Sequence, residues 1–196
     1  MQTTRGTALS RSLGGAAKPS RHGQRHARWW LTLVGAAVLA GIDQATKAWA
    51  LGALADGQTI PLIGHAVRLH LTFNGGGAFS LGTGATWFFT AVTLAVIVGA
   101  MIALPRLASW PWLAVAALVV GGGIGNLADR MVRAPGVGIG QVVDFIAYGD
   151  WFIGNVADIA IVLGVGLVIV LTLLGVPPFS HRTDDDAPHL GGETPA

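Results

Sequence analysis

Four long apolar blocks constrain the fold of this chain more than any other feature of its sequence. They span Trp29–Leu54, Trp87–Leu104, Trp110–Leu127 and Trp151–Val176. Each approaches or exceeds the roughly 20 apolar residues that a helix needs to cross a bilayer. Each also begins with tryptophan, which is enriched at membrane–water boundaries. Only 11% of the residues are charged, against about 25% in soluble proteins. The sequence therefore predicts an all-α membrane protein with four transmembrane helices.

The distribution of basic residues predicts the orientation of these helices. Six of the twelve Lys and Arg residues precede the first block: Arg5, Arg11, Lys18, Arg21, Arg25 and Arg28. Because Lys and Arg are enriched in cytoplasmic flanks, we expect the N-terminus in the cytoplasm. Four crossings return the C-terminus to the same side. The connections 55–86 and 128–150 then lie outside the cell membrane.

The composition of the two ends differs from that of the middle. Residues 1–28 and 177–196 are polar and are predicted to be disordered cytoplasmic tails around a membrane domain of residues 29–176. The basic charges of the first tail alternate with small residues and no folded module follows, so we expect no nucleic-acid partner. The chain has no cysteine, which excludes disulfides and cysteine–metal sites.

The first outer connection carries a strand-like pattern. From His65 to Phe73, apolar and polar residues alternate, and a glycine-rich turn follows at "NGGG". A period of two indicates a half-buried strand. We therefore expect a small extracytoplasmic β-hairpin or sheet between helices 1 and 2. The later segment "QVVDF" fits either a short extended piece or the start of the last helix.

Polar residues interrupt the outer ends of the apolar blocks. Asp43 and Lys47 are four residues apart and share one helix face. Other polar residues of the blocks and outer connections are Asn74, Asn126, Asp129, Arg130, Asp144, Asn155 and Asp158. Charged groups inside a membrane cost several kcal/mol and usually mark function. The orientation places all of them on the outer side, where they could form one cluster.

Asp144 and Asp158 are the strongest candidates for chemistry. Asp158 has no cation within one helical turn, and the apolar neighbours of Asp144 should raise its pKa. Two adjacent acids share a proton, so one can activate water while the other protonates a carbonyl oxygen. On one straight helix these two would be about 21 Å apart, so the chain must bend, and Gly149 and Gly154 allow a bend. No HExxH or P-loop motif is present, so we expect neither metal nor cofactor.

Five motifs together resemble those of one family. They are "DQATKAWA", "NGGGAFS", "GGGIGNLADR", "VVDFI" and "NVADIAI", spread in order over about residues 30 to 176. The sequence resembles the bacterial lipoprotein signal peptidases, or signal peptidase II. The resemblance implies an aspartyl endopeptidase of the inner or plasma membrane. It would remove signal peptides from diacylglyceryl-modified prolipoproteins, just before the lipidated cysteine. Globomycin-type inhibitors and membrane lipids are the other implied partners.

The resemblance also implies roles for individual residues. The catalytic acids of the family fall on Asp144 and Asp158, while Asn126 and Arg130 would support the dyad and contact substrate. The other positions of the site would be Asp43, Lys47, Asn74, Gly122, Asp129, Asn155 and Ala157. The outer hairpin would correspond to the surface cradle that embraces substrate in this family.

Three other functions remain open from the residues alone. A small transporter or channel subunit would also contain intramembrane charges, although it needs them through the whole membrane depth. A Ser/Lys peptidase could use Ser80 with Lys47. A non-enzymatic lipoprotein-binding subunit would share the cavity without turnover.

Overall fold

The computed structural model describes residues 21–76 and 86–179, with side chains from residue 27 onward. Its helices are α1 (Arg21–Ala53), α2 (Thr86–Ala103), α3 (Trp110–Val132) and α4 (Val156–Leu173), and a short 3₁₀ turn at Leu104–Arg106 follows α2. Ser80, residues 1–20 and residues 180–196 lie outside the described parts, so the predictions made for them stay predictions. The fold is mainly helical, as the apolar blocks predict.

Three of these helices are long and apolar enough to cross a membrane. They cover Thr86–Arg106, Trp110–Val132 and Val156–Leu173, with mean hydropathies of 2.3, 1.6 and 2.7 within the part of the chain that the structure describes. The predicted membrane architecture is confirmed for these three blocks. Helix α1 spans 33 residues and includes Asp43 and Lys47.

The predicted fourth block begins too early. It was placed from Trp151, whereas α4 starts at Val156 and Phe152–Gly154 forms a strand. The reason is local, because the side chain of Asn155 caps the first turn of α4 and a capping residue lies outside helical geometry. Hydrophobicity alone could not separate an apolar strand from the helix that follows it.

A four-stranded antiparallel sheet joins the connection between α1 and α2 to the connection between α3 and α4. Its strands are β1 (Ile60–Ile63), β2 (Val67–Asn74), β3 (Val142–Tyr148) and β4 (Phe152–Gly154), in that spatial order. The predicted strand and small sheet after helix 1 are confirmed, but the turn of the hairpin lies between Ile63 and Val67, before the strand, and not at "NGGG". The sheet is larger than expected because β3 and β4 come from the second connection. The alternative of an extended "QVVDF" is therefore correct, and β3 places Asp144 beside β2.

Helix α3 packs against α1, α2 and α4, and its glycines explain how. An ideal Cβ on Gly121 would lie 2.8 Å from the Ala36 carbonyl oxygen of α1. A Cβ on Gly122 would lie 2.6 Å from the Ala157 carbonyl oxygen of α4. A Cβ on Gly123 would lie 3.0 Å from the Ile97 side chain of α2. Consecutive glycines thus admit three different helices, since small residues let membrane helices approach closely.

This packing predicts different effects of alanine at two glycines of the α1–α3 pair. Gly121→Ala should lower the free energy of unfolding by about 1–3 kcal/mol, because the methyl group meets backbone atoms that cannot move aside. Gly41→Ala should leave it unchanged or raise it by up to about 1 kcal/mol, because alanine favours a helix and no atom lies within 4 Å of the added Cβ. Unfolding in detergent by a denaturant titration measures both. Equal stability of the two variants would contradict the close approach.

Candidate active site

A buried lysine lies at the centre of the polar cluster. The Lys47 ammonium lies 2.7 Å from the Asp43 carboxylate and 2.9 Å from that of Asp129, and the side chains of all three are at most 1% exposed. Asp43 belongs to α1 and Asp129 to α3, so the lysine joins the two helices. A buried charge is tolerated only when it is paired and hydrogen-bonded, and here one cation faces two anions.

The two carboxylates that face Lys47 extend its network to other elements. Asp43 accepts a hydrogen bond from the backbone N–H of Ala157 at 2.9 Å, which fixes the first turn of α4. Asp129 accepts from the backbone N–H of Val143 at 3.1 Å and from Arg133 at 2.6 Å. The first bond ties strand β3 to α3. The lysine cluster therefore sets the positions of the two elements that carry the candidate acids.

Asn126 connects the lysine to Asp158. Its side-chain oxygen accepts hydrogen bonds from Lys47 Nζ at 3.0 Å and from Asn155 Nδ2 at 3.1 Å. Its Nδ2 donates to Asp158 Oδ1 at 2.8 Å. Because both donors face the oxygen, the amide can take only one orientation. This arrangement explains why an amide stands at the end of an apolar helix.

Asp158 and Asn155 form a capping box at the start of α4. The backbone N–H of Asp158 donates to the Asn155 side chain at 3.0 Å, and the backbone N–H of Asn155 donates to Asp158 Oδ2 at 3.1 Å. Each bond satisfies an N–H that the helix itself leaves without a partner. The carboxylate of Asp158 is therefore held at the N-terminal end of α4.

Asp144 lies on β3 and is 1% exposed. Its Oδ1 accepts from Asn155 Nδ2 at 2.6 Å and its Oδ2 accepts from Asn74 Nδ2 at 3.0 Å. Burial, with a further contribution from the charge of Asp158, raises the pKa of Asp144 to about 6, and the two amide hydrogen bonds act in the opposite direction. The raised pKa confirms the prediction made from its apolar neighbours.

Arg130 is the buried cation next to the acids. It is 7% exposed, and its Nη1 has no hydrogen-bond partner among the residues that the structure describes. The guanidinium lies within electrostatic range of the carboxylates of Asp144, Asp158 and Asp129. A buried guanidinium donor without a hydrogen-bond partner is costly. An oxygen atom of a bound ligand is therefore a favourable acceptor for the Nη1 of Arg130.

Small residues keep the cluster compact. Gly122 of α3 faces the Ala157 carbonyl oxygen of α4, and a Cβ at Gly125 would lie 2.6 Å from Asp43 Oδ2. The residues expected to line the site are thus within one cluster: Asp43, Lys47, Asn74, Gly122, Asn126, Asp129, Arg130, Asp144, Asn155, Ala157 and Asp158.

One contributor, Gln44, escaped the sequence prediction; it donates to the Gly125 carbonyl oxygen at 2.9 Å. Arg133 pairs with Asp129, one of the two arginines that the sequence offered as its partner. The signal for Gln44 was its amide beside Asp43 in an apolar helix. Across residues 21–76 and 86–179, no three His, Asp or Glu side chains are grouped as metal ligands.

The Lys47 cluster predicts a large stability difference between two ion pairs. Lys47→Met leaves the buried Asp43 carboxylate without its cation, and leaves Asp129 with Arg133 alone. It should lower the free energy of unfolding by about 3–5 kcal/mol. Asp150→Asn breaks the Arg68–Asp150 pair, whose Asp side chain is 92% exposed, and should cost less than about 1 kcal/mol. Denaturant unfolding in detergent compares them. A Lys47→Met protein as stable as Asp150→Asn would refute the role of the lysine.

Comparison with known proteins identifies the family. The family model described as "Signal peptidase (SPase) II" matches residues 35–174. A lipoprotein signal peptidase of Rhodococcus jostii is 45% identical over 158 residues, which cover 80% of this chain and 79% of the relative. One from Leifsonia xyli is 36% identical over 98% of this chain and 90% of its own. One from Mycobacterium avium is 43% identical over a stretch that covers 82% of this chain and 87% of the relative.

Solved structures share the architecture. One described as a bacterial membrane enzyme, obtained by the in meso method, superposes with a TM-score of 0.64 and 24% identity, covering 78% of this chain and 93% of its own. A second structure, also described as a bacterial membrane enzyme, gives a TM-score of 0.61 and 25% identity, and it covers 73% of this chain and 92% of its own chain. With the family match over most of its membrane region, the chain belongs to the signal peptidase II family of lipoprotein signal peptidases.

Proposed function

We propose that this peptidase cleaves its substrate with an aspartyl dyad formed by Asp144 and Asp158. One observation carries the proposal: Asn155 donates a hydrogen bond to each acid, from Nδ2 to Asp144 Oδ1 at 2.6 Å and from its backbone N–H to Asp158 Oδ2 at 3.1 Å. A single residue thus holds two carboxylates from different elements. Two acids in such proximity cannot both ionise easily and share a proton.

The chemistry follows from that shared proton. The ionised carboxylate takes a proton from a water molecule as the water oxygen attacks the scissile carbonyl carbon, and the protonated carboxyl gives its proton to the carbonyl oxygen. Collapse of the resulting diol breaks the C–N bond, and a proton passes to the leaving amine. The pKa of Asp144 near 6 keeps a proton available close to neutral pH. Arg130, with its free Nη1, can bind a substrate carbonyl oxygen beside the dyad.

The substrate we infer is a prolipoprotein whose cysteine already carries diacylglyceryl, cut just before that cysteine. The relatives named lipoprotein signal peptidases support this class. The dyad lies where β3 meets the start of α4, at one end of the helices. A lipid anchored in the outer leaflet would bring the scissile bond to this level. Globomycin-type peptides would compete with the substrate for the site around the two acids.

We also propose that α1 crosses the membrane, which gives four crossings with both termini in the cytoplasm. Exposed apolar side chains recur along α1 from Trp30 to Trp49, through Val34, Val38 and Ile42. The nineteen residue steps from Trp30 to Trp49 rise about 29 Å along the helix axis, close to the thickness of the hydrocarbon core. Asp43 and Lys47 lie on the opposite, buried face, so lipid meets only the apolar stripe. The basic residues before Trp29 support the orientation.

Conservative variants of the acids test the dyad. Asp144→Asn and Asp158→Asn should each lower cleavage of a diacylglyceryl-modified prolipoprotein in liposomes by at least about 100-fold, because an amide cannot transfer the proton. Asp150→Asn, in the same outer connection, should retain cleavage. Retention of the folded state by the variants is checked by thermal unfolding in detergent.

The outcomes separate the alternatives. Near-normal cleavage by either dyad variant would contradict the proposal, and loss of cleavage in Ser80→Ala would then favour a Ser/Lys peptidase. A wild-type protein that binds the lipidated substrate and never cuts it would favour a binding subunit. Ion flux through liposomes without cleavage would favour a transporter.

Introduced cysteines test the orientation, since the chain has none of its own. Gln58→Cys precedes β1, and Ala108→Cys lies between α2 and α3; both positions are exposed. In intact cells a membrane-impermeant maleimide should label Gln58→Cys and leave Ala108→Cys unlabelled until the membrane is permeabilised. Labelling of Ala108→Cys in intact cells, or of both positions equally, would contradict the four-crossing arrangement.

A further inference from the structure

Two aromatic side chains border the acids and have no part in the proposed chemistry. Tyr148 and Phe152 are cross-strand partners of β3 and β4. Their rings are stacked, with centroids 6.2 Å apart and 19° between the planes. Alternation along β3 puts Tyr148 on the same sheet face as Asp144, and cross-strand partners share a face. At 36% and 42% exposure, both rings remain accessible to a ligand.

The Phe152 ring lies over Gly154, next to Asp158. An ideal Cβ on Gly154 would be 2.6 Å from Phe152 Cε1 and 2.9 Å from Asp158 Oδ2. The ring edge and the carboxylate oxygen therefore border the same small space. A side chain at position 154 would have to displace the ring or the carboxylate, so glycine keeps both in place.

Tyr148 also lies within electrostatic range of Asp158. Burial and the negative charge of Asp158 both raise the pKa of the Tyr148 hydroxyl. The charge of Asp158 thus reaches the aromatic pair. A flat apolar ring beside a carboxylate offers no hydrogen bond and cannot shrink, so it limits the room on that side of the reacting bond.

We propose that Phe152, seated over Gly154 and stacked on Tyr148, is the wall that limits the size of the residue preceding the scissile bond. The inference rests on the proposed function. The residue after the cut is the lipidated cysteine in every such substrate, so the residue before it is the variable neighbour of the dyad. Phe152 is then a specificity-determining residue, and the proton transfers do not involve it.

A matched pair of substrates tests this role. Two diacylglyceryl-modified prolipoproteins are prepared that differ only in alanine or leucine before the cysteine, and kcat/KM is measured for both in liposomes. For Phe152→Ala, the ratio of leucine to alanine cleavage should rise by about tenfold, since a few methylene groups in a pocket change discrimination by roughly 10–200-fold. Cleavage of the alanine substrate should stay within about threefold of wild type.

Two further variants complete the test. Trp151→Ala removes an adjacent aromatic residue that is 88% exposed, and it should leave the ratio unchanged. Phe152→Leu keeps part of the apolar volume, so it should raise the ratio of leucine to alanine cleavage by a smaller factor. This variant replaces Phe152→Ala in the test if the alanine variant fails to fold.

An unchanged ratio in folded Phe152 variants that still cut the alanine substrate overturns the inference and leaves the proposed function intact. Loss of alanine cleavage in both folded variants also overturns it, because the ring would then support the dyad. If wild type cuts neither substrate, the proposed function itself has failed.

Discussion

The attraction between Lys47 and two buried carboxylates is the interaction on which the site depends. The lysine joins Asp43 of α1 to Asp129 of α3 at 2.7 and 2.9 Å. Asp43 then holds the first turn of α4, and Asp129 holds the start of β3. Removing charges from water costs several kcal/mol each, so the arrangement persists only with every partner present. The two acids of the proposed dyad lie on the two elements fixed in this way.

The glycines of α3 make such burial geometrically feasible. Charges can be paired across helices only when the backbones approach closely, and Gly122 and Gly125 remove the side chains that would stand between α3, α4 and Asp43. The side-chain amides of Asn126 and Asn155 then reach the two acids, with hydrogen bonds to Asp158 and Asp144. Packing and polar pairing therefore depend on each other. The small residues bring the helices together, and the charged and amide groups fix their relative positions.

Most of the helices and several residues of the site could be predicted from the sequence, for physical reasons. Hydrophobic blocks indicate helices because backbone groups in lipid must be satisfied internally, and rare polar residues in such blocks pointed to Asp43, Lys47 and Asp158. The start of α4 at Val156 was missed, since a cap depends on local hydrogen bonds and not on hydrophobicity. The role proposed for Phe152 depends on its stacking on Tyr148 across the β3–β4 hairpin, and hydrophobic periodicity does not show which strands pair.

The coupling of the two acids can be measured directly by isotope-edited infrared spectroscopy of aspartate carboxyl groups in the reconstituted protein. The account predicts a protonated carboxyl band that titrates near pH 6, the pKa of Asp144, and is absent from Asp144→Asn. In Asp158→Asn the midpoint should move to lower pH, because a negative neighbour no longer opposes ionisation. A band that does not titrate near pH 6, or a midpoint unchanged in Asp158→Asn, would contradict a coupled dyad.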